Sequence, residues 1–107
     1  MIDYKERLAI KAWAEDDRPR EKFLNKGRSA LSDAELIAIL IGSGNRQESA
    51  VDLSKRILNS VADNLIQLAR LSLDDLMQFK GVGEAKAISI ATALELGKRR
   101  NLAEALE

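Results

Sequence analysis

The sequence predicts an all-α fold of five to six helices. Three observations carry that reading. Apolar residues make up 46% of the chain and recur at helical spacing, without dense alternating β-branched runs. Helix starts of the capping-box type stand at Ser32 with Glu35 and at Ser72 with Asp75. Two glycine-x-glycine turns, Gly42-Ser43-Gly44 and Gly81-Val82-Gly83, each follow one helical run and precede another.

The elements follow in order. Met1 to Trp13 reads as a helix, with Tyr4, Leu8 and Ala12 at helical spacing. Asp17 suits the cap of a short helix from Pro19 to about Leu24, because proline fits a first turn. Phe23 and Leu24 are its expected core contacts, and Gly27 ends it. Ser32 and Glu35 open the next helix, with Leu31 placed to staple onto Leu36. The apolar run from Leu36 to Ile41 marks this as the most buried helix. After a polar loop, Ser49 to Leu58 forms a helix with Ala50, Leu53, Ile57 and Leu58 inward. A short helix from about Asp63 to Ala69 follows. Then come Leu73, Leu76 and Met77 before the second glycine turn, and Ala87, Ile90, Ala91 and Leu94 after it. The expected core is Leu36, Leu40, Leu53, Ile57, Leu76, Ile90 and Leu94. Residues 1–100 make a single helical domain, and 101–107 read as a linker or frayed tail.

Composition narrows the function. The 17 basic and 17 acidic residues cancel, so any nucleic-acid binding must come from local charge asymmetry. With no cysteine and no histidine, the chain lacks a thiolate nucleophile and the commonest general base and metal ligands. The doublets Asp16-Asp17 and Asp74-Asp75 suit helix starts, where the dipole favours anions, and no third ligand accompanies them. No cofactor, and no zinc, is expected, and the chain reads as a non-enzyme. No run is long and apolar enough to span a bilayer and no signal-peptide core is visible, so the cytoplasm is the expected location, with no membrane partner.

Residues 72–98 stand out. Gly81 and Gly83 let the backbone turn sharply between two helices, and small alanines let those helices pack closely. This is the pattern of a helix-hairpin-helix motif, a binder of nucleic-acid phosphates. The candidate phosphate contacts are Lys80, Gly81, Val82, Gly83 and Lys86, with Lys98, Arg99 and Arg100 at the expected end of the second helix. The first glycine turn reads as a degenerate copy in which Ser43 replaces Val82. The alternative is structural: the glycines only close a helical corner, and the basic residues are a solvated last turn complementing the helix dipole.

Several segments together resemble the N-terminal region of the RadC family, also called UPF0758. They are Ile10-Lys11 and Trp13 with Asp17-Arg18-Pro19-Arg20-Glu21-Lys22, then Leu31 to Leu36 with Ala38 and Leu40. Lys80 to Gly83, Lys86-Ala87, Leu94 to Gly97 and Arg99-Arg100 complete the set. Ala14 stands where the family often has proline, which touches only a helix boundary. The resemblance implies a following domain of the JAB/MPN type, a zinc metalloprotease-like fold holding its metal through two histidines and an aspartate. The chain stops where that domain would begin, so the resemblance implies a fragment, and none of that metal chemistry transfers to a residue here.

Two functions follow as expectations. One is weak, sequence-independent binding of DNA by its backbone, as an accessory to the absent JAB/MPN-type domain. The other is a docking module, with the first helix and Trp13 as its apolar surface. Resemblance to helix-hairpin-helix domains further implies a monovalent cation held by the main-chain carbonyls of Met77, Phe79 and Val82, where the ending helix leaves carbonyls without partners.

Overall fold

The computed structural model describes residues 18–107, and all of the regular structure in them is helical. The expected helix over Met1–Trp13 and the Asp17 cap lie outside the described residues. The described residues form six α-helices: α1 (Pro19–Lys26), α2 (Asp33–Ile41), α3 (Ala50–Ser60), α4 (Leu65–Arg70), α5 (Leu73–Met77) and α6 (Glu84–Leu106). A 3₁₀ turn at Arg28–Ala30 joins α1 to α2. The chain divides into two units, Met1–Arg56 and Ile57–Glu107.

In the first unit α1 packs on the 3₁₀ turn and on α2. Pro19 occupies its first turn, and Gly27 closes it by donating its N–H to the Phe23 carbonyl. Pro19 is the buried residue of α1, whereas Phe23 and Leu24 are exposed, against expectation. Ser32 and Glu35 form the expected reciprocal box at the start of α2. Its buried face is Ala34, Ile37, Ala38 and Ile41, and Ala38 packs with Ala50 and Val51 of α3.

That face corrects the sequence reading. Leu36 and Leu40, expected in the core, are 37% and 38% exposed. An almost wholly apolar run carries no internal contrast, so its sequence does not say which side faces inward. The inward side is the one carrying two alanines, Ala34 and Ala38.

Helix α3 reads as expected, with Ala50, Leu53, Ile57 and Leu58 all buried. The buried Ser54 hydroxyl donates to the Ala50 carbonyl at 2.7 Å and so stays satisfied in the helix. In the second unit Asn64 caps α4 through the Gln67 N–H, and Leu68 is its buried anchor. Ser72 and Asp75 box the start of α5. Helix α5 packs on α6 through Leu76, which is 1% exposed, opposite a stripe that includes Ala87 and Ile90 at 0%. Leu94, the last expected core residue, is half-buried. Helix α6 then continues through Leu106, taking in residues 101–106 of the 101–107 segment that the sequence reads as a linker or frayed tail.

Candidate nucleic-acid interface

Helix α5, the loop over residues 78–83 and the start of α6 build the second glycine turn. Gly81 adopts φ 95°, a left-handed conformation that a Cβ disfavours. The turn closes on the Val82 N–H, which donates to the Phe79 carbonyl at 3.0 Å. Val82 is buried and anchors the loop, while Lys80, Gly81 and Gly83 face solvent. The half-buried Lys86 reaches back from the first turn of α6 and donates from Nζ to the Gly81 carbonyl at 3.2 Å.

Gly83 is the N-cap of α6 and has extended backbone, φ −94° and ψ −171°. A side chain could stand there in ordinary geometry, and a Cβ would meet nothing within 4 Å. The fold therefore does not itself require glycine at this position. No side chain caps α6, so its first-turn amides carry the positive end of the dipole behind an uncovered backbone. Glu84 in that turn opposes an incoming anion.

The first glycine turn is built differently. Asn45 Oδ1 accepts from the Gln47 and Glu48 N–H groups, both at 2.9 Å, and the Asn45 N–H donates to the Glu48 carbonyl at 2.8 Å. Ser49 caps α3 by accepting from the Asp52 N–H at 3.0 Å. The Arg56 guanidinium holds the Glu48 carboxylate in two bonds of 2.9 and 3.0 Å, which raises the Arg56 pKa above its ordinary value. Gly44 packs against the backbone from Glu48 to Ala50. Its amides thus serve the loop itself, a division of roles that two similar glycine spacings do not reveal. Asn45 four residues before Ser49 was the sequence signal for it.

Lys98, Arg99 and Arg100 are exposed but are not gathered at the hairpin. They lie 14 to 16 residues into α6, at 1.5 Å rise per residue about 20 Å along its axis from Glu84. The expectation that they end the helix is corrected: the last turn of α6 holds no basic residue. Arg99 pairs with Glu95 and Arg100 with Glu104, each at 3.0 Å, so both charges are partly offset along the helix.

Residues 10–88 match the family described as UPF0758 N-terminal. The chain belongs to the UPF0758 family. A UPF0758 protein of Flavobacterium johnsoniae is 62% identical over 100 residues, covering 94% of this chain and 43% of the relative. UPF0758 proteins of Trichlorobacter lovleyi and Coprothermobacter proteolyticus are 50% and 45% identical, covering 85% and 87% of this chain. The chain spans about two-fifths of the length of these curated relatives. No solved structure matches it. The match covers the UPF0758 N-terminal region and leaves the remaining length of the relatives without a counterpart here. Among the described residues, no three His, Cys, Asp or Glu side chains gather to hold a metal ion, and no helix is long and apolar enough to cross a membrane.

Proposed function

We propose that this UPF0758 N-terminal region binds DNA through its phosphate backbone, without sequence preference, as an accessory to a JAB/MPN-type domain in the longer family proteins. The observation that supports this most is the difference between the two glycine turns. One covers its helix start with Asn45 and Ser49; the other leaves the start of α6 uncovered behind Gly83. A phosphate oxygen accepts hydrogen bonds from such amides and gains from the dipole. Lys80, Gly81, Val82, Gly83 and Lys86 would be the contacts at that point, and Lys98, Arg99 and Arg100 would serve only a polyanion running along α6.

A monovalent cation at the Met77, Phe79 and Val82 carbonyls belongs to the same proposal. The Val82 N–H takes one lone pair of the Phe79 oxygen and leaves the other for an ion. The Lys86 ammonium on the neighbouring Gly81 carbonyl competes with it.

Titration of a short duplex at two salt concentrations tests the reading. Affinity should fall with salt at a log–log slope of about 0.9 for each phosphate neutralised. Replacing potassium by a bulky organic cation at equal ionic strength should weaken binding further if the carbonyls hold an ion. No binding at low salt would contradict the proposal.

Protein docking is the second reading. Leu65, Ile66 and Leu102 line an open groove between α4 and α6 in the second unit, and Ile66 is 66% exposed. The Trp13 surface expected for that role lies outside the described residues.

A further inference from the structure

We propose that the first unit carries a separate phosphate site, in the cleft between α1 and α3, which takes the backbone of a nucleic-acid strand. It does not depend on the glycine hairpin. The chain is neutral as a whole; residues 18–28 hold five basic side chains, Arg18, Arg20, Lys22, Lys26 and Arg28, against one acid, Glu21, and follow directly on the acidic run Glu15-Asp16-Asp17. A neutral protein can hold a polyanion only through a local run of like charge of this kind.

The fold organises it. Arg18, Lys22 and Lys26 recur every fourth residue and line one open cleft of about 470 Å³, and Lys55 enters it from α3. Glu35 holds Lys22 by contacts of 3.0 and 3.1 Å while its carboxylate also accepts from the Ser32 N–H, so Lys22 is oriented and offset. Glu21 lies 3.8 Å from Arg18 in an exposed pair. No carboxylate of the described residues pairs with Lys26 or Lys55. Among the described residues that line the cleft, four cations stand against two carboxylates, and the surplus lies on two lysines from different helices. The Asn25 amide and the Ser32 hydroxyl line the same cleft and can donate to phosphate oxygens. The row along α1 is linear, with about 6 Å between successive members. That shape suits a strand of phosphates rather than one compact anion.

The test uses the full chain and a labelled short duplex and single strand, each titrated at two salt concentrations. Lys26→Gln with Lys55→Gln should keep the parent melting temperature, weaken binding about tenfold at low salt and lower the salt slope by about two. The control pair Arg46→Gln with Arg70→Gln removes the same charge elsewhere and should bind like the parent. Inorganic pyrophosphate should compete only at far higher concentration than DNA. The cleft is overturned if the Lys26/Lys55 variant binds like the parent, if the control pair loses as much, or if the parent binds neither nucleic acid. Saturable pyrophosphate binding that DNA does not displace would also overturn it, pointing to a small phosphorylated ligand instead. Gly83→Ser separates this site from the hairpin: loss there with an unaffected lysine pair supports the hairpin alone, and the reverse supports the cleft alone.

Discussion

The Lys86 ammonium donates to the Gly81 carbonyl at 3.2 Å, tying the first turn of α6 to the left-handed residue of the hairpin. A lysine that reads from sequence as a phosphate contact therefore also braces the loop. Lys86→Ala should speed amide exchange at Val82 and Gly83 relative to the rest of α6, because local opening becomes easier. Lys86→Arg should keep the exchange close to the parent. Unchanged exchange in the alanine variant would mean the bond contributes nothing to loop order.

Gly44 and Gly83 predict opposite responses to a methyl group. A Cβ on Gly44 would meet the Ser49 carbonyl carbon at 2.6 Å and the Ala50 nitrogen at 2.7 Å, both backbone atoms that cannot swing aside. Gly44→Ala should destabilise by about 1–3 kcal/mol or more. Gly83→Ala should stay within about 1 kcal/mol of the parent, since a poorer N-cap offsets the lower entropy of its unfolded chain. Denaturant unfolding of the two variants ranks them.

Truncation within α2 separates neighbouring residues. Ile41 is 7% exposed and Leu40 38%. Ile41→Ala should cost about 2–5 kcal/mol, and Leu40→Ala about 1 kcal/mol or less. Equal losses in chemical denaturation would put the α2 face in the wrong phase.

What the sequence makes legible here depends on contrast. The boxes at Ser32 with Glu35 and Ser72 with Asp75 rest on local side-chain chemistry, and both form as the spacing predicts. In α3 polar and apolar residues alternate at helical spacing, so Leu53 and Ile57 are placed correctly. Leu36 to Ile41 lacks that contrast; Ala38 packs with Ala50 and Val51 of α3, and Ile41 is buried on the same face. The hairpin glycines were visible. What was not visible is that Arg99 and Arg100 sit within a helix that runs on to Leu106, because Asn101 to Glu107 mixes polar residues with good helix formers.

Acid should weaken the first unit through Glu35. The Ser32 N–H bonded to its carboxylate holds the Glu35 pKa below the usual range; partial burial opposes this and Lys22 adds to it. A depressed native pKa means its contribution is complete above the unfolded carboxylate value and is lost as pH falls through the native one. Melting temperature against pH should therefore drop below about pH 4.5. Glu35→Gln should lower stability at neutral pH and flatten that acid dependence. A parallel acid drop in both proteins would assign it to other carboxylates.

The uncovered start of α6 is tested most directly by comparing the parent with Gly83→Ser in duplex titration at low salt, with melting temperature measured on the same samples. Serine is a preferred N-cap, so its hydroxyl should accept from a first-turn amide of α6 and leave stability equal or slightly higher. It should also occupy the place of the phosphate oxygen, and affinity should fall about tenfold, the worth of one lost hydrogen bond to a charged group. A Gly83→Ser protein that melts like the parent and binds duplex with parental affinity would contradict phosphate binding at this hairpin.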